Sequence, residues 1–151
     1  MARAYEALLR PLKAQRNAAL PYAGLPIGTA LSLCADVPLC FPRKEIKDYG
    51  TRSSVEGPHQ AGERVVMIDD LATRGTSAIE ALPKLRDAGL EVVDLIVLVD
   101  RDSGAGARLA AEGVRLHAVF TLTELLELWR EAGKITPEQQ AAARDFIAAS
   151  A

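Results

Sequence analysis

The run from Arg64 to Ser77, Arg-Val-Val-Met-Ile-Asp-Asp-Leu-Ala-Thr-Arg-Gly-Thr-Ser, concentrates the chemistry of this chain. Its apolar half reads as a buried strand, two adjacent carboxylates follow, and a hydroxyl-rich glycine turn then opens a helix. Backbone N–H groups and hydroxyls between Thr73 and Ser77, assisted by the positive end of the helix dipole, suit an anionic phosphate group. Asp69 and Asp70 would face hydroxyls or a metal, which is the layout of a ribose-phosphate site. A plainer reading also accounts for some of these residues. Strand-end acids can simply cap a turn, and Ser77-Ala78-Ile79-Glu80 satisfies a capping box without any ligand. The absence of GxxxxGK[ST] argues against a nucleoside triphosphatase loop, and the absence of GxGxxG argues against a dinucleotide.

Two further segments carry charge in a suggestive order. Arg43-Lys44-Glu45-Ile46-Lys47-Asp48-Tyr49-Gly50-Thr51-Arg52 is an ordinary solvated loop by charge pattern, since Glu45 and Asp48 offset the cations. Its functional reading is a mobile cationic lid, hinged at Gly50 and Gly57, that neutralises charge on a departing anion in a site closed to water. Asp100-Arg101 follows an apolar run, and Arg101 is open to two readings, a bidentate carboxylate ligand or a local ion pair with Asp100 or Asp102.

Helices alternating with short apolar strands must position these groups. Tyr5, Leu8, Leu9 and Leu12 have helical spacing within Ala2 to Lys13. Asn17 to Leu20 leads into the turn-forming Pro21-Tyr22-Ala23-Gly24-Leu25-Pro26, and Pro26 suits the first turn of a helix reaching about Ala35. Strands are expected at Val37 to Phe41, Val65 to Ile68, Val92 to Val99, continuously apolar apart from Asp94, and Val114 to Phe120. Helices are expected at Thr76 to Ala88, capped at Gly89, and at Ala105 to Glu112, ending at Gly113. Thr121-Leu122-Thr123-Glu124 and Thr136-Pro137-Glu138-Gln139 look like capping boxes for helices to about Ala132 and Ala149. Arg43 to Gly62 has no apolar periodicity and reads as a long loop, functional or disordered. The alternation predicts an α/β fold with a mostly parallel sheet, whose ligands gather beyond the carboxyl ends of its strands. The Pro21 to Pro26 turn, Asp69-Asp70 and Asp100-Arg101 each follow a strand, so all three should share one rim.

Bulk properties narrow the possibilities. A chain of 151 residues that is 49% apolar can bury a core as a single domain. A net charge of -2 gives no global attraction to nucleic acid or an anionic membrane, so neither is expected as a partner. Cys34 and Cys40 form no zinc-ligand pattern with His59 or His117 and read as buried free thiols. No basic and apolar leader and no apolar run near ~18 residues are seen, which predicts a cytoplasmic soluble protein.

The three motifs, Arg43 to Thr51 with Val55-Glu56-Gly57, Val66 to Ser77, and Val99-Asp100-Arg101-Asp102-Ser103-Gly104, closely resemble orotate phosphoribosyltransferase. The likeness runs from about Tyr5 to Lys134, and the Lys-Asp-Tyr-Gly-Thr form is similar to that of UMP synthase and its bacterial relatives. It implies a three-layer type I phosphoribosyltransferase-like fold, a mostly parallel central sheet flanked by helices, as one core domain over residues 1–151. It implies transfer of the phosphoribosyl group from phosphoribosyl pyrophosphate (PRPP) to orotate, in pyrimidine biosynthesis. Asp69 and Asp70, with Lys47, would be catalytic, the two acids meeting the ribose hydroxyls. Leu71, Ala72, Thr73, Arg74, Gly75, Thr76 and Ser77 would hold the 5-phosphate end of PRPP. Tyr22, Ala23, Arg43, Lys44 and Lys47 would meet its pyrophosphate, and Thr73 and Arg101 would contact orotate. The resemblance further implies Mg²⁺ carried mainly by PRPP, no metal cage built from protein ligands, and a homodimer sharing loop residues. Against the family pattern, no Lys/Phe and Ser-Gly-x-x-Ser-Pro hood segment precedes Tyr5, Ala23 stands in place of a lysine, and Arg74 is bulkier than usual. A regulatory PRPP-binding module, or a phosphoribosyltransferase for another base, therefore remains open beside the orotate enzyme.

Overall fold

The computed structural model describes residues 1–44 and 54–150. Helices α1 (Ala2–Leu9), α2 (Gly24–Ala35), α3 (Thr76–Asp87), α4 (Ala105–Ala111), α5 (Leu122–Glu131) and α6 (Pro137–Ser150) accompany seven strands. These are β1 (Arg16–Ala19), β2 (Leu39–Pro42), β3 (Val55–Glu56), β4 (Arg64–Ile68), β5 (Leu71–Ala72), β6 (Glu91–Asp100) and β7 (Arg115–Thr121). They form one sheet in the order β3-β2-β1-β4-β6-β5, with β7 also paired to β6. Every pairing is parallel except β2 with β3.

Side-chain alternation on the central strands divides the interior into two cores. Val65 and Met67 of β4 pack with Leu82, Leu85, Leu95 and Leu109, on the side of α3 and α4. Val66 and Ile68 point the other way, onto Tyr5, Leu9, Leu31 and Ile96, on the side of α1 and α2. A strand buried on both faces needs apolar residues at successive positions, which is why Val65 to Ile68 lacks polar alternation.

Boundaries moved where local chemistry was decisive. α1 stops at Leu9, and a single 3-10 turn through Pro11 finishes the expected helix. Both C-terminal capping boxes form: Thr121 accepts from the Glu124 N–H at 3.1 Å, and Thr136 accepts from the Gln139 N–H at 3.2 Å. Ser77 is not a cap. α3 begins at Thr76, as expected, with left-handed Gly75 (φ 67°) at its N-cap and no side-chain cap bond. The stretch read as a long unstructured loop contains β3, whose pairing with β2 gives Val55 its buried place. Gly57 after it has φ 89°, and a Cβ there would lie 2.6 Å from the Leu39 carbonyl oxygen, so close packing explains this glycine. Cys40 is buried as expected but Cys34 is exposed, its Sγ lying 3.1 Å from Glu6 Oε2. Among the described residues no helix is long and apolar enough to cross a membrane.

Candidate active site

The acid pair lies at a break between two strands that both lean on β6. β4 pairs with β6 up to Ile68↔Ile96, and β5 resumes along the same edge at Leu71↔Val99. Asp69 and Asp70 fill the gap and stay bound to β6 through their backbone. The Asp69 N–H donates to the Ile96 carbonyl at 3.1 Å, and the Leu98 and Val99 N–H groups donate to the Asp70 carbonyl at 3.0 and 3.2 Å. From below, the Tyr5 hydroxyl donates to the Asp69 carbonyl at 2.8 Å. Tyr5 is fully buried, and that burial, with Asp70 and Asp69 nearby, pushes its phenol well above the ordinary range, so it stays a neutral donor. The Asp69 carboxylate accepts from the Asp70 N–H at 2.9 Å. Burial, followed by the neighbouring Asp70 carboxylate, outweighs that bond and raises Asp69 to about 7.

Gly24 sets how closely α2 approaches this pair. A Cβ on Gly24 would lie 2.5 Å from the Ile68 carbonyl oxygen, a contact that only a shift of helix or strand could relieve. Gly24→Ala is therefore expected to cost about 2 kcal/mol of stability and to move the acid pair. Denaturant unfolding would check this; an unchanged midpoint would show the approach to be loose.

Next along the chain, Asp69, Thr73, Gly75, Thr76 and Ser77 line a small cavity of about 50 Å³. It opens onto the first turn of α3, which holds no acidic residue and no side-chain cap, so its backbone N–H groups are available to an anion. Gly75 is required twice over: φ is positive, and a Cβ would come within 3.0 Å of Leu109. Arg108 braces the turn, donating to the Arg74 carbonyl at 2.8 Å. Leu71 and Ala72 are the β5 residues that lead into it, Ala72 buried and Leu71 exposed.

The first turn of α2 likewise lacks a side-chain cap, with Ala23 at its N-cap. Tyr22, 66% exposed, sits beneath the Lys44 ammonium, 4.9 Å from the ring centre. Arg43 forms an ion pair with Glu56 on β3. Its backbone N–H donates to the Ser54 carbonyl at 2.8 Å, so the borders of residues 45–53 lie side by side. Lys84 on α3 donates to the carbonyls of Arg43 and Lys44 at 2.8 and 3.2 Å. A cleft of about 200 Å³ is lined by Pro21, Arg43, Lys44, Glu80, Lys84 and Ser77, the last of which also lines the small cavity. Lys47, expected to be catalytic, and Gly50, expected as a hinge, lie outside the described residues.

Arg101 completes the rim from β6. Its two neighbouring carboxylates are engaged elsewhere: Asp100 accepts from the Asp102 N–H at 3.0 Å, and Asp102 accepts from the Thr123 N–H and hydroxyl at 3.0 and 2.6 Å. Among the described residues Arg101 makes no ion pair, and it lines a cavity of about 270 Å³ with Thr73 and Arg74. Arg74 therefore borders this second cavity and not the small one. Because β1, β4 and β6 are parallel, all three polar segments reach the same sheet edge. Tyr5, Lys84 and Glu56 were not visible as site residues in the sequence. Tyr5 read as part of an apolar helix stripe, and Lys84 lay unremarked within the helix expected from Thr76 to Ala88.

The sequence pattern of the phosphoribosyl transferase domain matches residues 18–118, from β1 to β7. The chain belongs to the phosphoribosyl transferase domain family. It is 42% identical over 135 residues to the bifunctional enzyme PyrF/PyrE of Nostoc sp., covering 89% of this chain and 28% of that protein. Leishmania donovani UMP synthase superposes with a TM-score of 0.88 at 48% identity, over 97% of this chain and 32% of that one. The orotate phosphoribosyltransferase of Mycobacterium tuberculosis in complex with PRPP gives a TM-score of 0.69 at 29% identity, over 82% of this chain and 72% of that one. The chain thus spans about a third or less of the Nostoc and Leishmania proteins. The family membership agrees with the resemblance read from the three motifs, and the sheet is the mostly parallel, helix-flanked one expected of it.

Proposed function

We propose that this chain, acting as one core domain over residues 1–151, transfers the phosphoribosyl group of PRPP to orotate, releasing pyrophosphate in pyrimidine biosynthesis. The observation that carries the reading is the acid pair held at the β4–β5 break directly ahead of the uncapped start of α3. Two carboxylates beside an anion pocket suit a ligand with vicinal hydroxyls and a terminal phosphate. The relatives named orotate phosphoribosyltransferase and UMP synthase supply the substrate class.

In this reading Asp69 and Asp70 accept hydrogen bonds from the ribose hydroxyls, and Thr73 to Ser77 hold the 5-phosphate. Tyr22 and Ala23 form the turn on which pyrophosphate rests, with Arg43, Lys44 and Lys47 over it. Thr73 and Arg101 position orotate, the Arg101 fork pairing with its carboxylate. Orotate N1, having released its proton, forms a bond to the anomeric carbon as the bond from that carbon to the pyrophosphate oxygen breaks. Positive charge grows on the ribose ring and negative charge on the leaving group, so the acids and the cations act on opposite ends of one bond. A magnesium ion suits the hard oxygen donors of this rim, Asp69 and Asp70, and of the diphosphate itself. When bound with PRPP it would lower the charge on the leaving group. The same reading proposes a cytoplasmic enzyme that acts as a homodimer sharing loop residues.

The test is direct: protein, PRPP, magnesium and orotate are mixed and the loss of orotate absorbance is followed. Lys47→Ala is expected to lower kcat by about 10²-fold with little change in melting temperature. A fully active variant would remove Lys47 from the machinery. PRPP binding by calorimetry without any turnover would instead identify a regulatory module.

A further inference from the structure

We infer that Phe146, on the C-terminal helix α6, forms the aromatic wall of the base subsite and stacks on the planar ring of the pyrimidine whose carboxylate Arg101 holds. This rests on the phosphoribosyl-transfer reading of the same site and adds a substrate contact from an element outside the matched family segment, residues 18–118.

The cavity of about 270 Å³ beside Arg101 is lined by Thr73, Arg74, Thr76, Ser103 and Phe146 as well. Two guanidinium side chains, three hydroxyls and one aromatic ring are a fitting lining for a flat anion: charge for its carboxylate, donors for its carbonyls, a ring for its face. Phe146 is 60% exposed, so contact with a flat partner would take apolar surface out of water. α6 is otherwise built from small and polar residues. Phe146 and Ile147 are its two large apolar side chains, and Ile147 is the less exposed of them.

The position of Phe146 is coupled to that of Arg101 through α5. Asp102, next to Arg101, accepts from the Thr123 N–H and hydroxyl in the first turn of α5 at 3.0 and 2.6 Å. Further along the same helix, Glu127 pairs with Arg144 of α6 at 2.9 Å, and the Leu126 carbonyl accepts from Gln140 at 3.5 Å. One helix therefore braces both the loop that carries the cation and the helix that carries the ring.

Phe146→Ala is expected to raise the orotate KM about tenfold, the loss of one base–aromatic stack, while kcat and the melting temperature stay near their original values. PRPP affinity by calorimetry should change less than about twofold, because the acid pair and the small cavity are untouched. Phe146→Tyr keeps the ring and should restore the original KM. An independent readout places the sole tryptophan at the site by combining Trp129→Phe with Phe146→Trp; orotate added with magnesium pyrophosphate should quench its emission. An unchanged orotate KM in Phe146→Ala, or an equal loss of PRPP affinity, overturns the assignment. If the unaltered chain binds PRPP but neither binds nor consumes orotate, the pyrimidine reading and this one fall together. Orotate turnover that is indifferent to residue 146 sinks only this one.

Discussion

Asp69→Asn is expected to lower turnover of PRPP and orotate by about 10²-fold or more while making the protein more stable at pH 8. The two effects have one origin. Asp69 is partly buried beside Asp70, and burial together with that neighbouring charge raises its carboxyl to about 7. An unfolded chain titrates aspartate near ~3.9, so between about pH 4 and 7 the native state holds the extra proton. The stability associated with that raised value is fully present below about pH 4 and is lost as pH rises through about 7. Asparagine carries no charge to bury and keeps an oxygen for the Asp70 N–H, which Asp69 accepts at 2.9 Å. Allowing for solvent screening of a partly exposed group, the gain at pH 8 is about 1–2 kcal/mol, or a few degrees in Tm. Below pH 4 the two proteins should melt together. PRPP affinity should also strengthen from pH 6 to 8 in the original chain, as the acid becomes an acceptor for ribose hydroxyls, and stay flat in the variant. Thermal melts at three pH values with parallel binding isotherms would check this. A variant less stable at pH 8 would show that the carboxylate is not strained by its surroundings.

Asp94→Ala should do the opposite, destabilising by about 3 kcal/mol with kcat unchanged for the molecules that remain folded. Asp94 is fully buried on β6, among residues that otherwise read as a continuous apolar strand. Arg64 donates to it at 3.1 Å, Arg115 at 3.0 and 3.3 Å, and the His117 ring lies at 2.8 Å. Burial alone would push its carboxyl up, but the bonds from His117, Arg64 and Arg115 together hold it below the ordinary range. A depressed carboxyl contributes stability that is present above the unfolded value of ~3.9 and is lost as pH falls through the folded one. The original protein should therefore lose stability on acidification below about pH 4, and the variant should show less of that loss. Arg64 and Arg115 can turn toward solvent once the acid is gone, which keeps the cost at the lower end for a broken buried pair. Urea midpoints at pH 3 and 7 measure both quantities. Equal midpoints for the two proteins at pH 7 would show the cluster to be dispensable.

These two aspartates mark the limit of what was legible in the chain. Asp69 was recognisable because it ends an apolar run and precedes a hydroxyl-rich turn, a local arrangement complete within fourteen residues, Arg64 to Ser77. Asp94 stood out only as an interruption of an apolar strand, since its partners come from β4 and β7 and are joined to it by strand register alone. The same distinction separates β4 from β5. Val65 to Ile68 announces a strand by composition, whereas Leu71–Ala72 is a strand only because β6 offers it bonding partners, as at Leu71↔Val99. Ser77 read as a cap by its spacing to Glu80, yet Gly75 can adopt the left-handed geometry that starts α3 at Thr76, ahead of Ser77.

The residues themselves determined the parallel α/β plan, the acid pair, the anion turn and the cation at Arg101, because strand periodicity, capping and the geometry of a glycine turn act over a few neighbouring residues. Folding decided how these groups are held and what surrounds them. Tyr5 reaches the Asp69 carbonyl from 64 residues away, Lys84 fixes the start of the basic segment from 41 away, and α5 brings α6 and Phe146 to the cavity beside Arg101. Such contacts depend on where parallel strands place their ends and on which helix packs upon which face, and neither is written in the spacing of any one segment.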